Sequence, residues 1–309
     1  MGERRPRKRL PRVVHVPLRE GFVDVSGTSL FVREWGELGA PCLLFWHGLG
    51  ATGLQFNEAG PILAGGYGLR VVAPDAPGCG RSPASSVTST RPSALAALSE
   101  ALLDELEVER VVAAGQSWGG GIACHVAARI PARTAGLVLL DGGYLDVCDF
   151  PGFDTGCALE TRIAEAEALH RRFRFATWDA YLAATRRNVR RWTPEVSEAF
   201  ASRMHERGSV IEQVLAPAVF AAAQHASASE PTVETFSAFG SRVPVLTLVP
   251  TEPCELEGLR TRCLERLRFA AAELAVERLP GCGHDVLADA GPAAAHSIGA
   301  WLLEEWILL

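Results

Sequence analysis

Short apolar runs, separated by helical patterns, recur along most of the chain. Residues 22–26 and 29–34 predict two strands that are joined at Gly27 as an opening hairpin. Apolar runs, typical of strands buried on both faces, follow at 41–47, 69–73, 111–114, 136–140 and 243–249, and residues 274–279 predict a last strand. Because strands alternate with helices, we predict an α/β fold with a mostly parallel, eight-stranded sheet and helices on both faces.

The alternation is interrupted between residues 144 and 242. This stretch has the pattern of consecutive helices without a strand, and they cover Leu159–Phe173, Trp178–Val189, Thr193–Arg207, Val210–His225 and Thr232–Phe239. The sheet pattern resumes at once with Val243, so the stretch is predicted to be an insertion and not an independent domain. The chain is thus divided into a disordered basic tail (1–20), a core (21–143 and 243–309) and a helical insertion (144–242).

The segment from 111 to 130 carries the clearest chemical signal. Gly115-Gln116-Ser117-Trp118-Gly119 stands between a short apolar strand and a helix whose apolar residues recur every fourth position. A serine on a sharp strand-to-helix turn is held in a strained conformation, and the two glycines leave room for the neighbouring chain. The Ser117 hydroxyl is therefore predicted to project from the sheet edge, beside the amide N–H of Trp118.

Composition excludes several classes of function. The formal net charge of −6 argues against nucleic acid as a partner of the folded domain. No apolar run reaches the ~18 residues that a membrane span needs, and no apolar segment follows the basic tail as in a secretory signal. The eight cysteines lack zinc-site spacing, which favours free thiols in a cytoplasmic protein without metal or cofactor.

Four motifs, taken in order, resemble the α/β-hydrolase family, specifically its capped serine esterase-like branch. They are His47-Gly48-Leu49-Gly50, the Asp75, Gly78, Gly80 and Ser82 pattern, Gly115–Gly120, and Gly283-His284. The resemblance implies that residues 144–242 form a helical cap over an active site. It also implies a Ser117 nucleophile, and this argues against the family branches that use aspartate, the epoxide hydrolases and haloalkane dehalogenases.

The remaining site residues are the base, the oxyanion hole and the acid, and the acid has two candidates. His284 is predicted to be the base, because it lies in a glycine-bounded loop after the last strand, at the sheet edge where ligands bind. The oxyanion hole is assigned to the backbone N–H groups of Leu49 and Trp118. Two carboxylates compete as the acid that orients His284. Glu252 has the commoner position in the family, after the seventh core strand, whereas Asp141 follows the sixth strand. We favour Glu252 and keep Asp141 as the alternative.

These assignments predict a serine hydrolase that cleaves a carboxylic ester through an acyl-enzyme. Thioester, lactone, amide or C–C bond cleavage and a cofactor-free haloperoxidase side activity would use the same residues, and a ligand-binding protein without turnover is the rival hypothesis. The partner is predicted to be a small molecule, and the chain a monomer or homodimer.

Aromatic residues of the insertion favour a largely apolar substrate; they are Phe153, Phe173, Phe175, Trp178, Tyr181, Trp192 and Phe220. The apolar C-terminus from Trp301 to Leu309 is predicted to pack on the sheet or to mediate self-association.

Overall fold

The computed structural model describes residues 16–84, 90–238, 243–271 and 273–305. Its strands are β1 (Leu18–Val25), β2 (Thr28–Trp35), β3 (Cys42–Trp46), β4 (Arg70–Pro74), β5 (Val111–Gln116), β6 (Thr134–Leu140), β7 (Met204–Arg207), β8 (Val210–Gln213), β9 (Pro244–Pro250) and β10 (Glu273–Leu279). Eight of them form one sheet in the order β1-β2-β4-β3-β5-β6-β9-β10. Only β2 runs antiparallel to its neighbours in this sheet. The predicted fold class is confirmed.

Helices cover both faces of the sheet. They are α1 (Ala59–Tyr67), α2 (Pro92–Glu105), α3 (Trp118–Arg129), α4 (Leu159–Arg172), α5 (Trp178–Arg186), α6 (Pro194–Ala201), α7 (Pro217–Ser229), α8 (Thr232–Ala238), α9 (Glu257–Ala270) and α10 (Val286–Glu304). Side chains of successive strand residues point to opposite faces, so Trp46 belongs to the core shared with α2, α3, α8 and α9, and Phe45 to the core shared with α1 and α10. None of the described helices has the length and apolarity that crossing a membrane would require.

Helix α1 was not predicted from the sequence. Pro61 and three glycines interrupt the apolar residues of this segment and weaken its helical pattern. The helix forms because its apolar residues pack into the core on the side of α10, where Leu63 is fully buried. Tertiary packing therefore decides the structure here, against a weak local preference.

The parallel strands bring the predicted site residues to one edge of the sheet. Ser117 follows β5 directly, Asp141 follows β6, and Glu252 lies two residues beyond β9. His284 lies in the loop between β10 and α10. The carboxyl ends of parallel strands meet at the same edge, and this edge is where open α/β sheets bind ligands.

The insertion contains a β-hairpin, and the prediction of helices alone was wrong at this point. The predicted helix that starts at Thr193 ends at Ala201, and the one placed at Val210 begins only at Pro217. Between them β7 and β8 pair antiparallel across Gly208 and Ser209. Gly208 has φ +64°, which a two-residue hairpin turn requires and glycine adopts without strain. The Gly-Ser pair between two short strand-like segments was the available signal.

The ends of the insertion and of the tail also differ from the prediction. Val233 and Phe236 of α8 are buried in the core beside α3, as is Tyr144 at the start of the insertion. The predicted tail, residues 1–20, reaches too far, since β1 begins at Leu18. Of the apolar C-terminus, Trp301 is buried on α10. Residues 1–15, the predicted helix end at Phe239, and residues 306–309 lie outside the described part of the chain.

Candidate active site

Ser117 occupies the strained turn that its motif predicts. Its backbone has φ +54° and ψ −122°, a region that costs a residue other than glycine on the order of 1–3 kcal/mol. The turn is held from both sides, because Ser117 N–H donates to the Leu140 carbonyl and Ser117 O accepts from Gly120 N–H. A Cβ atom at Gly115 would meet the backbone of Gly119 and Gly120, and one at Gly119 would meet the backbone of Trp46 and His47. Both glycines are therefore required by close backbone approach.

Three side chains from separate strand ends form a line at this edge. His284 Nε2 is 3.0 Å from Ser117 Oγ. Its other ring nitrogen, Nδ1, is 2.7 Å from Asp141 Oδ2. An imidazole held in this way, with Nδ1–H donating to a carboxylate, presents an unprotonated Nε2 to the hydroxyl and can accept its proton.

The preference for Glu252 over Asp141 is contradicted by this geometry. The Glu252 side chain is exposed, and only its backbone reaches the site: its N–H donates to the Cys282 carbonyl, and its carbonyl accepts from Arg260. Asp141 is 3% exposed and directly follows β6, the neighbour of the strand that carries Ser117. A carboxylate at the very end of a strand is fixed by the sheet, so it has the better defined position.

Two further side chains hold the Asp141 carboxylate. Tyr144 Oη donates to Oδ1 at 2.7 Å. Arg260 approaches both oxygens, with Nε 3.3 Å from Oδ1 and Nη2 3.4 Å from Oδ2. Neither residue was predicted from the sequence. Tyr144 follows Asp141 by three positions, which was a weak signal, whereas Arg260 is one of several arginines on α9 and carried none.

The histidine loop is tied to the serine turn by a second carboxylate, that of Asp285. Its Oδ1 accepts from Nε2 of Gln55 at 2.8 Å and of Gln116 at 3.1 Å. Its Oδ2 accepts from Arg203 Nη2 at 3.2 Å. Gln116 also donates to the His284 carbonyl at 3.1 Å. Gln116, which precedes Ser117, is thus connected to Asp285, which follows His284, and the sequence did not reveal this connection.

The charges of the site favour an ionised Asp141. Desolvation works to raise the pKa of Asp141, but hydrogen bonds from His284 and Tyr144 and the charge of Arg260 hold it below its ordinary value. Desolvation works to lower the pKa of His284, and the hydrogen bond and charge of Asp141, with the charge of Asp285, raise it above 6.5. The neutral imidazole, which is the form able to accept a proton, therefore prevails only above pH 6.5.

The two amides assigned to the oxyanion hole border the same space as the serine. Neither the Leu49 nor the Trp118 N–H has an acceptor among the residues that the structure describes. The loop that carries Leu49 is fixed by His47, whose Nδ1 lies 2.8 Å from the Gly48 carbonyl and whose Nε2 accepts from Ala76 N–H at 2.9 Å. Burial lowers the pKa of His47, so this ring is neutral and has a structural role.

A cavity of about 330 Å³ opens above Ser117 and His284. The insertion contributes apolar groups to its lining, namely Leu145, Val147, Phe150 and Phe220, and polar groups, namely Asp146, Arg203, Gln224, Ser227 and Thr232. Of the seven aromatic residues predicted to shape the pocket, only Phe220 lines it. Phe175, Trp178, Tyr181 and Trp192 pack together in a separate cluster within the insertion. The inference of a largely apolar substrate loses most of its support.

Comparisons with known proteins agree with this architecture. Residues 41–175 match a family described as alpha/beta hydrolase fold. A 2-hydroxy-6-oxononadienedioate/2-hydroxy-6-oxononatrienedioate hydrolase of Cupriavidus pinatubonensis is 38% identical over 129 residues, 40% of this chain and 44% of that protein. Lipase LipV of Mycobacterium tuberculosis is 38% identical over 115 residues, 37% of this chain and 41% of that lipase. The chain thus matches less than half the length of these relatives.

Likeness to solved structures extends over nearly the whole chain. The crystal structure of E-2-(acetamidomethylene)succinate hydrolase superimposes with a TM-score of 0.70 and covers 93% of this chain and 99% of that one. At 22% identity, this likeness concerns the fold alone. The sheet order, the serine turn between β5 and α3, the matched segment and the shared fold together lead to one conclusion. The chain has the α/β-hydrolase fold, and its residues 41–175 match the family described as alpha/beta hydrolase fold.

Proposed function

We propose that the protein is a serine hydrolase that cleaves a carboxylic ester, thioester or lactone of a small substrate through an acyl-enzyme. The observation that carries the proposal is the line of Ser117 Oγ, the His284 ring and Asp141 Oδ2, with separations of 3.0 and 2.7 Å. Nucleophile, base and orienting acid at hydrogen-bonding distances are what acyl transfer by serine requires. The eight free cysteines favour a reducing compartment such as the cytoplasm.

In the proposed reaction His284 moves one proton in each half. Ser117 Oγ attacks the substrate carbonyl while His284 Nε2 accepts the hydroxyl proton. The Leu49 and Trp118 amides stabilise the resulting oxyanion, each contributing roughly 3 kcal/mol to the transition state. Collapse breaks the bond to the alcohol, which leaves with the proton from Nε2. Water, deprotonated by His284, then attacks the acyl-enzyme and releases the acid and Ser117.

Residues 144–242 act as the cap of this site in our proposal. The insertion contributes the upper lining of the cavity, and polar contacts fasten it to the core. Nη1 and Nη2 of Arg191 in the insertion donate to Glu58 of the core at 3.0 and 2.8 Å. Nη1 and Nη2 of Arg266 on α9 donate to Asp149 of the insertion at 2.8 and 2.6 Å. A cavity of this size suits a substrate smaller than a typical drug molecule.

The rival hypothesis, ligand binding without turnover, predicts no covalent chemistry. A p-nitrophenyl ester of a short acid therefore tests the proposal. We expect a burst of nitrophenol close to one equivalent per protein, followed by slower steady release, because the acyl-enzyme forms before water cleaves it. Rapid-mixing absorbance measures the burst, and mass spectrometry of the quenched protein locates the acyl group. Saturable ester binding without nitrophenol release would support the rival hypothesis instead.

One observation favours a second reaction, hydrolysis of a C–C bond in a keto acid. Arg203 is the sole arginine or lysine among the described residues that line the cavity. Its Nη2 donates to Asp285, but its buried Nε has no hydrogen-bond partner within the described part of the chain. The name of the Cupriavidus relative describes dicarboxylic keto acids, which contain no ester. A substrate carboxylate in the cavity would pair with the positive charge of the Arg203 guanidinium group.

We expect Arg203→Gln to discriminate between charged and neutral substrates. For mono-p-nitrophenyl glutarate, kcat/KM should fall on the order of 10- to 100-fold, because a charge-assisted hydrogen bond is lost. For p-nitrophenyl butyrate it should change little. Arg207→Gln is the matched control, since this arginine lies on β7, four positions after Arg203, is not among the residues that line the cavity and is 74% exposed. Equal losses on both esters would contradict a carboxylate-binding role.

A further inference from the structure

The Arg260 side chain is buried, and its guanidinium group is surrounded by hydrogen-bond acceptors. Its side chain is 1% exposed. Besides the two Asp141 oxygens, it donates through Nη2 to the Glu252 carbonyl at 2.9 Å and through Nη1 to the Pro253 carbonyl at 3.2 Å. The loop after β9 thus contributes carbonyl oxygens and not a side-chain carboxylate to the site.

Arg260 contacts both oxygens of the Asp141 carboxylate, including Oδ2, which His284 also contacts. A guanidinium group is planar, and its fork of N–H donors matches the two oxygens of a carboxylate. The carbonyls of Glu252 and Pro253 fix the guanidinium in turn, while Tyr144 adds a neutral donor to Oδ1. Three donors from different segments therefore converge on one carboxylate.

We propose that Arg260 is a positioning residue that acts through Asp141: it orients the carboxylate toward Nδ1 of His284 and offsets part of its negative charge. This inference deepens the proposed function and rests on it. The positive charge limits how strongly Asp141 raises the basicity of the imidazole. His284 can then be deprotonated, and ready to act as base, at a lower pH than beside an uncompensated carboxylate.

The charges that face His284 come from several segments. Asp141 after β6 and Asp285 in its own loop raise the pKa of His284, and Arg260 of α9 opposes them. Arg203 of the insertion pairs with Asp285. Tyr144 faces Asp141 as a neutral phenol, because burial raises its pKa. Removal of Arg260 alone leaves the two carboxylates and the Arg203 pair in place, so His284 should become harder to deprotonate.

The experiment compares Arg260→Gln and Arg260→Lys with the wild-type protein. In Arg260→Gln the acidic limb of the kcat/KM profile for a p-nitrophenyl ester should move to higher pH. The rate on the plateau should fall on the order of tenfold, as expected for the loss of a charged hydrogen bond to a buried group. In Arg260→Lys the limb should stay near the wild-type position, because the charge remains, while the plateau falls because the planar fork is lost.

A second measurement does not depend on turnover. NMR titration of the His284 ring, in a Ser117→Ala background with and without Arg260→Gln, should show the same displacement to higher pH. Arg70→Gln is the matched control: this buried arginine binds the Glu34 carboxylate and the Leu106 carbonyl at the start of β4, at the opposite end of the sheet. Arg70→Gln should lower Tm without shifting the acidic limb of the kcat/KM profile or the pH at which His284 titrates.

The outcomes separate the inference from the proposed function. Absence of Ser117-dependent ester cleavage in the wild-type protein would refute the function, and the NMR titration would still test Arg260. If cleavage occurs but Arg260→Gln, like Arg70→Gln, only lowers Tm, Arg260 is a structural residue and the inference fails. Should Arg260→Gln not fold, a wild-type plateau rate in Arg260→Lys overturns the positioning role, and a reduced plateau with an unmoved limb supports it.

Discussion

Ser117→Ala should abolish ester cleavage and labelling by a fluorophosphonate probe. We expect kcat to fall by a factor on the order of 10⁶, the loss seen when the nucleophile of a serine hydrolase is removed. The reason is that no acyl-enzyme can form without the hydroxyl, although the amides of Leu49 and Trp118 and the cavity remain. Tm should change little, since alanine meets the same backbone strain at φ +54° and leaves no buried polar group unpaired. Steady-state kinetics, gel-based labelling and thermal unfolding measure the three effects.

Ser227→Ala is the control for this variant. Ser227 lines the same cavity from α7, but its hydroxyl donates to the Ala223 carbonyl and contacts no imidazole. It should retain activity and labelling close to those of the wild-type protein. Labelling of Ser117→Ala at another residue, or an unchanged rate of ester cleavage, would exclude Ser117 as the nucleophile.

The serine turn was predictable because its causes are local. The turn consists of a strand, the glycine–serine–glycine motif and a helix, all within about 20 residues. The residues that cause the strained backbone and those that leave space for it are therefore neighbours in sequence. The alternation of apolar runs with helices predicted the eight-stranded sheet for a similar reason, since each buried strand is a continuous apolar run. Thr193-Pro194 likewise predicted a helix start correctly: the Thr193 hydroxyl accepts from Val196 N–H at 3.2 Å.

The rest depends on contacts between residues that are distant in sequence. Arg260 lies 119 positions from Asp141, and no pattern along α9 distinguishes it from its neighbouring arginines. The aromatic residues of the insertion gave no sign that most of them would lie outside the cavity, four of them packed on one another in a separate cluster. Helix α1 depends on packing against α10 and not on its own propensity. Each of these features is decided by which faces meet in three dimensions.

The acid was the hardest residue to predict, because two carboxylates follow strands at the correct edge. The sheet topology places both Asp141 and Glu252 near the histidine loop, and the backbone N–H of Glu252 even donates to the Cys282 carbonyl. What separates them is side-chain orientation. Asp141 has φ +39° and is followed by Gly142, at which a Cβ atom would meet the backbone of Ser117. The loop after β6 therefore lies against the serine turn, and only the folded structure reveals that the Asp141 carboxylate contacts His284.

We therefore expect Asp141→Asn to be the damaging change at the acid position and Glu252→Gln to be mild. Loss of the carboxylate should lower kcat by up to ~10⁴, because the amide no longer holds the imidazole in the tautomer that presents Nε2 to Ser117. Glu252→Gln should stay near the wild-type rate, since only the backbone of this residue reaches the site. Steady-state kinetics at a temperature well below Tm measures both, with circular dichroism to confirm folding, because Arg260 loses its charged partner in Asp141→Asn.

The pH dependence of activity in Asp141→Asn should also shift, and the direction of this shift can be predicted. Asp141 is the principal group that raises the pKa of His284, and a neutral amide removes that effect. The residual activity of Asp141→Asn should therefore begin at lower pH than that of the wild-type protein, opposite in direction to the displacement expected for Arg260→Gln. A large loss in Glu252→Gln together with a mild one in Asp141→Asn would mean that Glu252 rotates toward His284 during turnover. Opposite displacements in the two variants would instead show that the carboxylate and the guanidinium act on the same imidazole with opposite charge.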